Sequence, residues 1–209
     1  MQKIELQLTL PNQLTLLRVL LTPVFAALLL ADSPGSRQAA LGVFLAAALT
    51  DWYDGWIARR SGTTSRWGKF LDPLADKVLS ATALLVYAGL GLVDAWMVWI
   101  VIGRDFLITG LRTYGELRNV PIATSRGAQA KTFGQFVVIY YILILYVART
   151  FPPVAEPLGG LIDTLMAPQV LFGMMLLVTI TTVATGLAYL FENRKLIREI
   201  CRIGSTARP

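Results

Sequence analysis

Roughly six runs of about 20 mostly apolar residues, near 12–31, 39–58, 70–91, 95–115, 132–148 and 169–191, take up almost the whole chain. Each is about the length a helix needs to cross the ~30 Å hydrocarbon core of a bilayer. Backbone in that environment must satisfy its own hydrogen bonds, so such runs fold as helices. With 55% hydrophobic and only 15% charged residues among 209, the composition is that of an integral membrane protein. The chain therefore reads as one all-α polytopic membrane domain, residues 1–209, with six transmembrane helices. The stretch 149–168, with four prolines and two glycines, reads as a loop. Residues 1–10 mix apolar and polar positions and suit an interfacial helix before Pro11 and Asn12 start the first span. No basic start with a short apolar core and a small-residue cleavage site is seen, so no cleavable signal is expected.

An even number of spans puts both termini on one side, and the cations choose that side. The terminal side collects Arg59, Arg60, Arg66 and Lys69 after the second span, Arg112, Arg118, Arg126 and Lys131 around the fourth and fifth, and Lys3 and a basic tail from Arg194 to Arg208. The opposite loops carry Arg37 and Arg149. By the positive-inside rule both termini are cytoplasmic, and a bacterial cell (inner) membrane suits a chain this compact. The net charge of +6 also favours anionic lipid headgroups. Nucleic acid is a poor alternative, because these charges flank membrane spans. The tail cluster is equally explained by topology alone.

Histidine is absent and Cys201 is the single cysteine. Acid–base work then falls to carboxylates, Lys or Tyr, and a metal site would be built largely from oxygen ligands. Against that background Asp51, Asp54, Asp72 and Asp76 stand out, four carboxylates within 26 residues, close to the cytoplasmic ends of the second and third spans. Ionisable residues inside membrane segments are costly and usually mark a functional site. Asp51 and Asp54 are spaced i, i+3 and Asp72 and Asp76 i, i+4, so each pair projects from one helix face. If the faces meet, four like charges share one pocket and cannot all stay ionised without cations. A pair of Mg²⁺ or Mn²⁺ ions resolves the conflict, and Mg²⁺ sites of this kind commonly include substrate phosphates. Gly55, Ala58 and Gly68 fall beside the carboxylates, where small residues let a ligand approach the backbone or simply let helices pack. Structural ion pairs are the alternative for the four aspartates, and each would then need a buried basic partner.

The pattern Asp51-x2-Asp54-Gly55-x2-Ala58-Arg59-x8-Gly68-x3-Asp72-x3-Asp76 resembles the signature of the CDP-alcohol phosphatidyltransferases at eight fixed positions. The signature covers about an eighth of the chain. The resemblance implies six spans with a cytoplasmic site, a homodimer, and a CDP-diacylglycerol donor clamped by two metal ions. It assigns Asp51, Asp54, Asp72 and Asp76 to the metals and makes Asp76 the base on the acceptor hydroxyl. It also places the donor against Asn12, Thr15, Gly55, Ala58, Arg59, Ser65 and Gly68. Read by itself, Asn12 after Pro11 is as good a helix N-cap, and Ser65 an ordinary loop residue.

An anionic acceptor needs cations distinct from the metal site. Arg104 and Asp105 lie inside the fourth span, Arg112 follows Asp105 by seven residues, and Lys131 opens the fifth. Together they resemble the acceptor-phosphate residues of the family branch that uses glycerol 3-phosphate, as does Thr50-Asp51-Trp52-Tyr53-Asp54-Gly55. That branch often has Gly-Lys ahead of its Lys-Thr pair, where this chain has Ala128-Gln129, so another cation such as Arg104, Arg112 or Arg194 must compensate. The bland alternatives are an Asp105–Arg112 ion pair and a Lys131 that snorkels to the interface. Inositol phosphate or phosphatidylglycerol as acceptor, a transporter, or a scaffold are rival readings of the whole. A transporter would place its charges near the midplane within repeated halves.

If Asp76 is the base, Asp76→Asn should leave donor and Mg²⁺ binding largely intact while turnover falls by about a hundredfold or more. Single-turnover CMP release beside equilibrium donor binding checks this, and a near-normal rate removes Asp76 from that role.

Overall fold

A computed structural model describes residues 10–61, 68–117 and 126–194, and all regular structure among them is helical. Seven helices run α1 (Leu10–Leu30), α2 (Pro34–Ser61), α3 (Gly68–Gly89), α4 (Ala95–Leu117), α5 (Arg126–Ala148), α6 (Pro152–Leu165) and α7 (Pro168–Glu192). Residues 1–9, all but the last residue of the suggested interfacial segment, lie outside the described residues, as do Ser65 and the basic tail from Lys195 onward.

The apolar runs located the helices but not their ends. α2 begins five residues before the run at 39, and α5 six residues before the run at 132. Helical hydrogen bonding continues through polar residues that an apolarity reading excludes. This matters for Lys131, which sits in the second turn of α5 instead of opening it.

α6 corrects the expected loop at 149–168. Proline is tolerated in the first helical turn, where an N–H has no intrahelical acceptor, and Pro152 and Pro153 take those places. Pro157, Gly159 and Gly160 weaken the helix, and tertiary contacts with α5 and its end make up the difference. Ile162 is buried, Tyr141 Oη donates to the Leu165 carbonyl at 2.8 Å, and Arg149 pairs with Asp163 at 2.6 Å. At 14 residues α6 is about 21 Å long, too short to cross a bilayer core.

Among the described residues, α1, α5 and α7 contain stretches long and apolar enough to span a membrane: Gln13–Leu30, Gln129–Ala148 and Pro168–Glu192. Large apolar side chains face outward on them, including Leu20 on α1, Phe133 on α5, and Leu177 and Phe191 on α7. A surface so apolar suits lipid and is costly in water, as expected of a membrane protein with apolar helical spans.

α1 packs on both α2 and α3, α4 on α3 and α7, and α5 touches α2, α3, α6 and α7. The core follows helical stripes: Phe25 and Leu29 on α1, Phe44 and Ala47 on α2, Leu84 and Tyr87 on α3, Met97 and Val101 on α4, Ile139 and Leu143 on α5, Leu171 and Met175 on α7. Phe44 touches Phe25 with ring centroids 5.0 Å apart and meets Tyr140 edge-on at 5.3 Å, joining α1, α2 and α5. Tyr87 Oη, fully buried, donates to the Ile139 carbonyl at 2.9 Å and ties α3 to α5. Between α3 and α4, Gly91 at φ +72° closes the helix, with Leu92 N donating to Tyr87 O at 2.9 Å; glycine takes that left-handed conformation without a Cβ penalty.

Because Phe44 is fully buried between two aromatic rings, Phe44→Ala should cost about 3 kcal/mol through the cavity it leaves. Thermal unfolding in detergent, with Leu49→Ala on the exposed face of α2 as the near-neutral comparison, measures it.

Candidate functional site

α2 and α3 carry the four aspartates. Asp51, Asp54, Gly55 and Ala58 recur along the last part of α2 at i, i+3, i+4 and i+7, one face of that helix. Gly68, Asp72 and Asp76 repeat every four residues from the first position of α3. Their side chains, and that of Arg59 on α2, lie outside the described residues. Asn12 lies in the first turn of α1, two residues past its start and so within the helix, not before it. Thr15, one turn on, is buried, and Arg18 after it is fully buried. With Thr22 they form a polar stripe on the helix that packs against both aspartate-bearing helices.

The basic residues converge more tightly than their sequence spacing shows. Asp105, only 4% exposed, receives Lys131 Nζ on Oδ1 at 2.6 Å, Arg104 Nη1 on Oδ1 at 3.2 Å, and Lys77 Nζ on Oδ2 at 3.5 Å. Lys131 also donates to Gln135 Oε1 at 2.7 Å, one turn along α5. From α7, Thr185 Oγ1 accepts Arg104 Nη2 at 3.1 Å. One carboxylate thus gathers three cations from α3, α4 and α5, and a fourth helix holds one of them. Among the described residues, three positive charges against one negative leave an excess of two in a nearly enclosed place, a setting that favours a bound anion.

The cations at Asp105 come from Lys77, Arg104 and Lys131; Arg112, two turns further along α4, has an exposed side chain. Lys131 does not snorkel, for its side chain is fully buried. Lys77 escaped the sequence reading. It sits in the apolar third run directly after Asp76, and a lysine in such a run is the same signal that singled out Arg104. Thr185 gave no such signal, being one of several threonines along α7.

Asp76 and Lys77 are consecutive on α3, so the acidic array and the basic cluster are joined by one helix. At the opposite end of the bundle, a crevice of about 580 Å³ lined by Leu92, Asp94, Gln169 and Phe172 among others has one ionisable group in its wall. The cluster around Asp105 joins α3 instead through Lys77, at the end of that helix that carries the aspartates. A buried pair loses most when one partner is removed and the other charge is stranded. Asp105→Ala, which strands three cations, should therefore destabilise by about 3–5 kcal/mol, and more than Lys131→Met, which leaves Asp105 two cations. Detergent unfolding of both variants gives the order; the reverse order would show that Asp105 is not the organising charge.

Comparison with known proteins identifies the family. Residues 8–192 match the CDP-alcohol phosphatidyltransferase family. A CDP-diacylglycerol–glycerol-3-phosphate 3-phosphatidyltransferase of Bacillus subtilis is 35% identical over 147 residues, 65% of this chain and 76% of the relative. An Escherichia coli K12 protein of the same name is 37% identical over 144 residues, 66% of this chain and 78% of the relative. One from Rickettsia bellii is 33% identical over 135 residues, 65% of this chain and 75% of the relative. The match extends well past the aspartate signature, across both the acidic helices and the basic cluster, and the chain belongs to the CDP-alcohol phosphatidyltransferase family.

Proposed function

We propose that this protein transfers the phosphatidyl group of CDP-diacylglycerol to sn-glycerol 3-phosphate, giving phosphatidylglycerophosphate and CMP. The observation that carries the choice of acceptor is the gathering of Lys77, Arg104 and Lys131 around Asp105, an excess of two positive charges among the described residues. A phosphomonoester dianion matches that excess, whereas a neutral alcohol leaves it uncompensated and a diester meets half of it. The relatives' shared name supports the same acceptor.

Asp51, Asp54, Asp72 and Asp76 form an oxygen-only donor set on two helices, which fits a pair of Mg²⁺ or Mn²⁺ ions. Bound there, the ions would neutralise charge on the pyrophosphate and on the departing nucleotide. The residues of the chain do the rest. Asn12, Thr15, Gly55, Ala58, Arg59, Ser65 and Gly68 receive the donor, with Thr15 on the buried polar stripe of α1. The cluster of Lys77, Arg104 and Lys131 holds the acceptor phosphate and leaves its hydroxyl free to reach the donor, with Arg112 further along α4 meeting the acceptor as it enters. Asp76 takes the hydroxyl proton as the acceptor oxygen attacks the lipid-side phosphorus. The bond from that phosphorus to the bridging oxygen breaks, and CMP leaves already ionised, with little need for protonation. That last point suits a site in a chain without histidine.

The membrane arrangement is part of the proposal. α1 to α5 and α7 supply six spans, both termini are cytoplasmic, and α6 lies at the outer surface between α5 and α7. Two chains associate as a homodimer through membrane helices.

Purified protein in detergent with CDP-diacylglycerol and Mg²⁺ should release CMP when given glycerol 3-phosphate, and EDTA should abolish the release. Inositol phosphate, phosphatidylglycerol, serine and no acceptor are the comparisons. Release with one of these instead replaces the product and keeps the chemistry, while release with none removes the transferase reading. Lys131→Ala, and Arg112→Ala to a smaller extent, should raise the apparent KM for glycerol 3-phosphate more than that for the lipid donor. Equal effects on both would mean structural damage.

A further inference from the structure

Among the described residues, Arg104 is the one cation of the cluster held by a helix that contributes no charge to it. Its Nη1 donates to Asp105 and its Nη2 to Thr185 Oγ1 at 3.1 Å, so the guanidinium is stretched between α4 and α7. The Thr185 hydroxyl donates in turn to the Thr181 carbonyl at 2.7 Å, which points its lone pairs away from its own helix and toward Arg104. One residue on, Gly186 is buried, and a Cβ there would come within 3.1 Å of Arg104 Cγ and 3.5 Å of Nε. The aliphatic stem of Arg104 lies in the groove that this missing side chain leaves. Arg104 Nε is buried with no hydrogen-bond partner among the described residues, so the anchored arm keeps one donor uncommitted.

We infer that the Thr185–Gly186 step of α7 is a positioning element that fixes the pose of Arg104 and thereby sets selectivity for a phosphomonoester acceptor. The inference rests on reading the Lys77–Arg104–Lys131 cluster as the acceptor-phosphate site. Glycine supplies the space, and the threonine hydroxyl supplies the direction. Neither residue contributes charge of its own, so both act on the acceptor only through Arg104. An arginine free to swing would still carry its charge but would lose the fixed fork that makes guanidinium recognition of phosphate directional. α7 would then govern how well acceptors are told apart, while the aspartate helices α2 and α3 govern the transfer.

The test uses Thr185→Val, Thr185→Ser and Gly186→Val in the full-length protein, with CMP release titrated separately against glycerol 3-phosphate and CDP-diacylglycerol. Thr185→Val, nearly isosteric but unable to accept a hydrogen bond, should raise KM for glycerol 3-phosphate by about tenfold, the usual size for one bond to a charged group. Its kcat and its KM for the donor should stay within about twofold of the parent protein. Thr185→Ser should restore the parent value, and Gly186→Val should exceed Thr185→Val. Should Gly186→Val fail to fold, the two Thr185 variants decide alone. An unchanged acceptor KM in Thr185→Val, or a parallel change in kcat and both KM values, overturns the inference and leaves the proposed function standing. Absence of glycerol 3-phosphate-dependent release in the parent protein overturns both.

Discussion

The rest of the structure depends on one buried carboxylate. Asp105 lies at the meeting point of α3, α4 and α5, and the three cations that reach it fix how those helices stand relative to one another. Charges held out of water are tolerable only when paired and hydrogen-bonded, so each of these residues constrains the others. The apolar stripes around them would pack acceptably at several registers, because lipid solvates leucine as well as a neighbouring helix does. An ion pair between named atoms allows far fewer. The polar cluster therefore does for this bundle what hydrophobic burial does for a soluble one.

That same cluster connects two chemistries. In the proposed function the carboxylates on α2 and α3 take metal and pyrophosphate, and the cations on α3, α4 and α5 take the acceptor phosphate. They are joined because Lys77 is the residue after Asp76. A helix advances about 1.5 Å and 100° per residue, so neighbours in sequence point to adjoining faces at nearly the same depth. Fixing Lys77 on Asp105 thus fixes the depth of the helix that carries Asp72 and Asp76. In the proposed reaction this alignment brings the acceptor hydroxyl to the donor, and orientation of that kind supplies much of the rate in phosphoryl transfer.

How much was legible in the sequence differed from feature to feature for physical reasons. The helices were legible because a bilayer demands long apolar runs, but α6 was not, since three prolines and two glycines make a poor isolated helix. It forms where α5 offers it Tyr141, Arg149 stands at its approach, and its own Ile162 turns inward. Arg104 and Lys131 were legible as costly charges in apolar runs, while their shared partner was not. Seven residues along α4 made Arg112 look like the natural mate of Asp105. Instead the carboxylate faces Lys77 and Lys131, which lie 28 and 26 residues away in sequence on neighbouring helices.

The sequence by itself determined the all-helical membrane character and the family, and it singled out the four carboxylates proposed to carry the chemistry. Each of these follows from local composition or from spacing along a single helix, where the geometry is fixed by the backbone. Only the tertiary structure decided which cations share Asp105, that Lys77 is one of them, and that Thr185 and Gly186 hold Arg104 in place. Those relations join helices whose mutual rotation and depth no local pattern encodes. They are settled when the helices pack so that Asp105 meets Lys77, Arg104 and Lys131.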